Sequence, residues 1–177
     1  KRFAYTISAL MGAYDYIRKC GAEYIVLYDS HIIANIDLSE ALKAHKKKEA
    51  DLTVIYHNGV LPVKSEEKML LGFNNDGRVN NISFGKAENE ASFGIGISII
   101  SKDLLLKLIS EAEDEGLTSF AREVLAQKIN ELKIYGYEHS GYTAIMDNAD
   151  TYYEASMDLL CKDIRSQLFD KTRPIFT

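Results

Sequence analysis

The sequence is poor in cysteine and proline and contains no tryptophan. Its 177 residues include two prolines and two isolated cysteines, Cys20 and Cys161. Two such thiols do not make the disulfide framework of a small secreted domain, although the sequence alone leaves their pairing in space open. So little proline excludes collagen-like and proline-rich chains. We therefore expect a cytoplasmic protein with a single hydrophobic core.

Long apolar runs and an excess of basic residues are also absent. No run approaches the ~18 to 20 apolar residues of a membrane-spanning helix, and the first residues are too polar for a signal peptide. The chain has 21 Lys and Arg against 26 Asp and Glu, a net charge of -5. It therefore lacks the excess of basic residues that is typical of a nucleic-acid-binding protein. We expect neither a membrane nor a nucleic acid as partner.

What the sequence does contain is an alternation of helix and strand patterns. Apolar residues at helical spacing over residues 9–17 predict a helix, and the unbroken apolar run 24–28 predicts a strand buried on both faces. Asp37 and Glu40 have the spacing of a capping box that begins a second helix. Residues 52–56 are a second buried strand. This order predicts a right-handed parallel βαβ unit and an α/β fold.

The pattern continues to the end of the chain. Asp76-Gly77 between two short apolar runs predicts a small hairpin excursion near residues 68–84. The remaining predicted elements are a strand over residues 93–100, short strands over 132–138 and 142–146, and helices over 102–115, 119–129, 151–160 and 162–169.

The most informative polar residues follow the first strand, where Asp29-Ser30-His31 ends the apolar run. Ligands and metals gather at the carboxyl ends of parallel strands in open α/β sheets, so Asp29 is a candidate metal or phosphate residue. The competing interpretation is that Asp29 caps a loop or the next helix. Asp150, after Asp147, is predicted to cap the helix that follows it.

Other candidates carry weaker signals. Gly94-Ile95-Gly96 lacks the third glycine of a dinucleotide fingerprint and indicates close approach of another backbone or a ligand. Lys86 could pair with a phosphate or simply be solvated. His45 and His57 have no His or Cys partner at ligand spacing, which argues against zinc.

Several segments together resemble a known family. These are Tyr24–Leu27 with Asp29–Ile32, Phe93–Ile97, Ser119–Leu125 and, most specifically, Tyr152–Leu160 followed by Arg173-Pro174-Ile175. They resemble the sugar-phosphate nucleotidyltransferases, and specifically bacterial glucose-1-phosphate adenylyltransferase (ADP-glucose pyrophosphorylase), over essentially the whole chain.

The resemblance implies a three-layer, Rossmann-like nucleotidyltransferase domain with a mixed sheet over residues 1–172. The family's glycine-rich nucleotide loop would precede Lys1, so we expect a domain truncated at its N-terminus. Residues 173–177 would begin a linker to a left-handed β-helix domain that this sequence lacks.

The departures from the family concern its metal ligands. In the family's Gly-Asp-His motif, the position of the Asp is taken here by Ser30 and that of the Gly by Asp29. In the Lys-Asp-Val-Gly-Thr motif, the position of the Asp is taken by Ile145 and that of the Gly by Asp147. The Glu-Lys-Pro motif is reduced to Gly85-Lys86-Ala87. A hydroxyl and an alkyl group cannot replace two carboxylates around Mg²⁺. The alternative is that Asp29 or Asp147, each slightly shifted, restores a weak site.

The resemblance thus implies a catalytically degenerate, regulatory subunit of the GlgD type in glycogen synthesis. It would need no metal or other cofactor and would assemble with the catalytic subunit or with itself. A pocket for a nucleotide or sugar phosphate could use Asp29, Lys86, Gly94, Tyr142 and Asp147.

Two other interpretations stay open. One is an active, Mg²⁺-dependent enzyme that makes ADP-glucose and pyrophosphate from ATP and glucose 1-phosphate, and the other is a plain nucleotide-sugar-binding module. The apolar stripe of Tyr152, Tyr153, Met157, Leu160 and Ile164 would form a subunit contact, or else pack on the domain's own sheet or on the missing β-helix.

Overall fold

A computed structural model describes residues 6–61, 67–86 and 89–174. Its α-helices are α1 (Ile7–Gly12), α2 (Tyr14–Lys19), α3 (Leu38–Lys47), α4 (Lys102–Asp114), α5 (Ala149–Asp158) and α6 (Lys162–Leu168). Its strands are β1 (Tyr24–Tyr28), β2 (Ile32–Ala34), β3 (Leu52–Gly59), β4 (Lys68–Phe73), β5 (Val79–Gly85), β6 (Ala91–Ser101), β7 (Ile134–Glu138) and β8 (Thr143–Ile145). A π-helical segment covers Phe120–Leu125.

Six of the strands form one mixed sheet. The order is β5-β4-β6-β3-β7, and β1 pairs with β6 on the same edge as β4. Strand β6 is antiparallel to β1, β3 and β4, whereas β3 and β7 are parallel. The predicted α/β class with a mixed sheet is therefore confirmed.

The predicted parallel βαβ unit is wrong in one respect. Strands β1 and β3 run in the same direction, but β6 lies between them and is antiparallel to both. Strand β6 is almost entirely buried, so it takes a central position in the sheet. Because its pairing partners are distant in sequence, the local patterns around β1 and β3 contain no sign of it. The carboxyl ends of β1, β3 and β7 still share one edge of the sheet.

The predicted hairpin is confirmed, but it is not an excursion from the sheet. Strands β4 and β5 pair around a turn at Gly77, whose φ of 81° suits glycine. Strand β4 also pairs with β6 at Leu70 and Phe93. The hairpin therefore forms one edge of the main sheet. Its first residue, Lys68, is buried.

Apolar side chains alternate between the two faces of the sheet, and each face has its own core. Leu52 and Val54 of β3 join a cluster with residues of α1, α2 and α4. Ile55 of the same strand joins a second cluster that includes Ala41 of α3. Burial of both faces is the dominant favourable term in folding. Helices thus cover both faces, which makes three layers.

The predicted helices differ from the observed ones mainly at their ends. The helix predicted over residues 9–17 is divided at Ala13, which ends α1 and precedes α2. Helix α5 is capped by Asn148, not by Asp150, because Asn148 and Thr151 form a reciprocal capping box. Asp37 caps α3 as predicted, but Glu40 pairs with Lys43 instead of completing the box.

The structure also addresses two predictions from composition. Cys20 and Cys161 are both free thiols. Among the helices of the described ranges, none is long and apolar enough to cross a membrane.

Candidate functional site

The candidate site lies where β1 ends and β6 bends. Asp29 follows β1 directly, and its backbone N–H donates to the Gly96 carbonyl at 2.9 Å. The pairing of β6 with β3 shifts here, since Ile55 faces Ile97 but Tyr56 faces Gly94. A bulge of this kind bends a strand and re-aims neighbouring side chains. On the other edge of β6, β1 pairs as far as Ile97 and β4 pairs at Phe93, so that β1 ends and β4 begins at the bend.

Gly96 makes room for the Asp29 side chain. Its φ is 77°, and a Cβ placed on it would lie 3.0 Å from both Cβ and Cγ of Asp29 and would collide with the carboxylate. The predicted close approach at this glycine pair is therefore present, but side chains make it. At Gly94 the approaching group is Met69, whose Cε would lie 2.7 Å from an added Cβ.

A two-stranded ribbon brings Asp147 to the same place. Strands β2 and β8 pair antiparallel, and the Met146 N–H donates to the His31 carbonyl at 2.9 Å. Asp147, the next residue, is only 3% exposed. Its Oδ1 lies 3.4 Å from His31 Nε2, and its Oδ2 accepts a hydrogen bond from Lys68 Nζ at 2.5 Å.

Sequence reasoning missed Lys68. Its side chain is 10% exposed, so both members of the pair with Asp147 are buried. A lysine is rarely so buried unless it has a partner. The sequence offers one signal for Lys68, its position at the start of a strand, immediately before the apolar residues Met69, Leu70 and Leu71. This signal does not identify the partner, because Asp147 lies 79 residues away.

Asp29 belongs electrostatically to the same group. Burial raises the pKa of the Asp29 carboxyl to about 6, the Lys68 charge acts to lower this pKa, and the Asp147 charge acts to raise it. Asp29, Lys68 and Asp147 therefore form one interacting set, which we call the acid–lysine cluster. His31 lies at its border.

The two positions that the resemblance assigns to metal carboxylates lie differently. Ser30 is exposed in the turn after β1. Ile145 is buried in the apolar cluster that includes Ile32 and Ile55. Neither side chain supplies a carboxylate to the acid–lysine cluster, so its acids come from the neighbouring positions 29 and 147.

The remaining predicted residues are not part of this cluster. Lys86 is exposed just after β5, and Ala87 of the motif remnant lies outside the described residues. Tyr142 donates from its hydroxyl to Asp158 at 2.9 Å, and burial together with this carboxylate raises the pKa of the phenol. Tyr142 lines a cavity of about 440 Å³ beside His139 and Arg173. That cavity and the acid–lysine cluster are lined by different residues.

The apolar stripe near the C-terminus is mainly exposed. The exposed fraction is 61% for Tyr152, 64% for Tyr153, 46% for Met157 and 69% for Leu160. The alternative in which these four side chains pack on the domain's own sheet is therefore wrong. Ile164 of α6 is partly buried.

The interpretation as an active enzyme requires Mg²⁺, and the residues present do not fit this ion. Mg²⁺ prefers an octahedral set of oxygen ligands with carboxylate charge. The buried carboxylate Asp147 already faces the Lys68 ammonium at 2.5 Å and the His31 ring at 3.4 Å. Within the described ranges, no three His, Cys, Asp or Glu side chains are grouped as metal ligands would be.

Fold and site together define an α/β domain, consistent with a Rossmann-like fold, with a polar cluster at the carboxyl end of β1. No protein-family model matches the chain. It is 26% identical to the glycogen biosynthesis protein GlgD of Bacillus subtilis (strain 168), over 92% of this chain and 38% of that protein.

Glucose-1-phosphate adenylyltransferases show similar agreement. The chain is 28% identical to the one from Bacillus subtilis (strain 168), over 97% of this chain and 46% of the enzyme. It is 26% identical to the one from Mycoplasma mobile, over 99% of this chain and 47% of the enzyme. The predicted resemblance to this family, including its GlgD type, is confirmed. The chain spans less than half the length of these relatives.

Proposed function

We propose that this chain is part of a regulatory, non-catalytic subunit of glucose-1-phosphate adenylyltransferase that serves glycogen biosynthesis. The similarity to GlgD, a protein named for glycogen biosynthesis, extends over 92% of the chain and supports this role. The proposal includes assembly with the catalytic subunit. It follows from the residues at the site rather than from the fold, since one fold hosts many functions.

The observation that carries the proposal is the burial of Ile145 in an apolar cluster. The resemblance assigns this position to one of two metal carboxylates, yet Ile145 is 8% exposed and packs in the core that contains Ile32 and Ile55. An alkyl side chain cannot bind Mg²⁺ or neutralise a triphosphate. Ser30, at the other metal position, supports the same conclusion.

Pyrophosphate release tests the proposed lack of activity. The full-length protein, purified without a catalytic subunit, should release no pyrophosphate from ATP and glucose 1-phosphate in the presence of Mg²⁺. When the catalytic subunit of the same organism is added, the apparent kcat or KM of that subunit should change. Turnover by the protein alone within about tenfold of a typical enzyme's ~10 s⁻¹ would contradict the proposal.

An active adenylyltransferase is the second candidate, and one observation favours it. Asp29 and Asp147 interact across the acid–lysine cluster, as two acids serving a common site would. The variant Asp147→Asn separates the candidates. In an active enzyme this variant should lose most of its turnover, whereas in a regulatory subunit it should leave the effect on the catalytic partner unchanged, provided that circular dichroism shows a folded protein.

The exposed stripe on α5 supports the proposed contact with the catalytic subunit. Aromatic and Met side chains are enriched in interface cores, and Tyr153 and Met157 are 64% and 46% exposed. We expect the double variant Tyr153→Ser, Met157→Ser to weaken co-elution with the catalytic subunit. Tyr16→Ser is the matched control, because Tyr16 is 80% exposed on α2. Equal co-elution of both variants would exclude the stripe from the contact.

A further inference from the structure

We infer that the Lys68 ammonium is a tethered cation that occupies the Asp147 carboxylate near Asp29, where a divalent metal ion would bind, and closes this site to Mg²⁺ and Mn²⁺. The inference goes beyond the proposed function, because a site closed to metals is compatible with a regulatory subunit and with a nucleotide-sugar-binding module alike. It rests on the contacts, burial and charges of three side chains.

The contact between Lys68 and Asp147 is the first step. Nζ lies 2.5 Å from Oδ2, and the two side chains are 10% and 3% exposed. A metal ion binds a carboxylate oxygen at about 2.0 to 2.6 Å. An ion on the same oxygen would therefore lie within a few ångströms of the ammonium, where like charges repel strongly because little water screens them. The ammonium and the metal ion exclude each other.

The charges of the cluster are the second step. Lys68 pairs with Asp147, and Asp29 is near enough for both of their charges to act on its pKa. Buried charges are tolerated when they are paired. In the absence of Lys68, the two carboxylates would be the kind of negatively charged oxygen pair that attracts a hard cation.

The position of Lys68 in the sheet is the third step. Strand β4 pairs with β5 at Lys68 and Gly85, and with β6 at Leu70 and Phe93. The backbone of Lys68 is therefore fixed by its pairing with β5, and the strand also pairs with β6 two residues further on, next to the bend of β6 where Asp29 packs on Gly96.

Binding of Mn²⁺ tests the inference without any activity assay. The full-length protein, Lys68→Met and Lys68→Arg are titrated with Mn²⁺, and free Mn²⁺ is measured by electron paramagnetic resonance. We expect Lys68→Met to bind one Mn²⁺ at least tenfold more tightly than the unmodified protein. Lys68→Arg should bind no better, because it keeps the cation.

Two further variants locate the ion. In the double variant Lys68→Met, Asp147→Asn the gained affinity should be lost, because one carboxylate of the site is gone. Lys128→Met is the matched control, since Lys128 is also partly buried in an ion pair, 2.9 Å from Glu111, at a different place. It should not gain Mn²⁺ affinity. A folded Lys68→Met variant without increased affinity would overturn the inference.

The unmodified protein provides a second measurement in case Lys68→Met fails to fold. One equivalent of Mn²⁺ broadens the amide NMR signals of residues near a bound ion. We expect the signals of Gly96 and Ser30 to stay sharp. Their selective broadening would show that the ion enters beside Lys68 and would overturn the inference, whatever the protein does to the catalytic subunit.

Discussion

At the scale of single residues, Gly96 is the position where the site depends most on the absence of a side chain. The change Gly96→Ala puts a Cβ at a φ of 77° and against the Asp29 carboxylate. An alanine in left-handed backbone costs about 1–2 kcal/mol, and overpacking costs about 1–3 kcal/mol more. We therefore expect a loss of about 2–5 kcal/mol in the free energy of unfolding, measured with urea.

Gly77 is the matched control for this prediction. Its φ of 81° is almost the same, but an added Cβ would meet no atom within 4 Å. Gly77→Ala should therefore show only the conformational cost of about 1–2 kcal/mol. Equal losses for the two variants would mean that the packing of Asp29 on Gly96 contributes nothing.

Residue patterns predicted part of the candidate site. Asp29 was recognisable because it follows an unbroken apolar run, and Asp147 because it follows a short strand next to a helix. Lys68 was not recognisable, since a lysine at the start of a strand is usually solvated, and only the tertiary structure brings it within 2.5 Å of Asp147. A buried ion pair between distant residues leaves no periodic signal in a sequence.

At the scale of elements, the cap of α5 gives a direct test of a corrected prediction. Asn148 Oδ1 accepts from the Thr151 N–H at 3.0 Å, and Thr151 Oγ1 accepts from the Asn148 N–H at 3.1 Å. Loss of such a cap costs about 0.5–2 kcal/mol. We expect Asn148→Ala to lower the free energy of unfolding by about 1 kcal/mol.

Asp150→Ala is the comparison, because the sequence predicted that residue as the cap. Asp150 lies inside the first turn of α5 and is exposed. A carboxylate in the first turn favours the helix N-terminus through the dipole by about 0.3–1 kcal/mol. A larger loss for Asp150→Ala than for Asn148→Ala in urea unfolding would contradict the observed cap.

The elements themselves were largely predictable, but their arrangement was not. Strand β1 covers the same five residues as the predicted apolar run. The prediction that both of its faces are buried is wrong, because only Leu27 is buried, whereas Val26 and Tyr28 are 40% and 42% exposed. The insertion of β6 between β1 and β3 depends on pairs of residues that are 32 to 77 positions apart, for which local patterns contain no information. The helix predicted over residues 119–129 is also different, because a π-helical segment covers Phe120–Leu125.

At the scale of the whole molecule, buried titratable groups make stability depend on pH in two directions. Burial lowers the pKa of His45 and of His139. The folded protein then binds fewer protons than the unfolded chain below pH ~6.5, so these histidines reduce stability as the pH falls through this value. Asp29 has the opposite effect. Its pKa in the folded protein is about 6, so it keeps a proton that the unfolded chain releases near pH ~4. The stability that this proton contributes is therefore lost as the pH rises from ~4 to ~6.

The range from pH 7.5 to 6 therefore reports mainly on the histidines, and His45 is the one that can be tested most cleanly. It is 2% exposed, its Nδ1 lies 2.8 Å from Thr53 Oγ1, and its ring packs edge-on to Tyr24. Lys46 lowers its pKa further, while Asp51 opposes this.

The variant His45→Gln keeps a polar group for Thr53 but does not titrate. From pH 7.5 to 6 the original protein should lose up to ~0.8 kcal/mol more stability than this variant. The measurement is urea unfolding at both pH values, with the exposed substitution Lys86→Gln as a control that should retain the original dependence. If the free energy of unfolding of the variant has the same pH dependence as that of the original protein, the pKa of His45 does not differ between the folded and unfolded states.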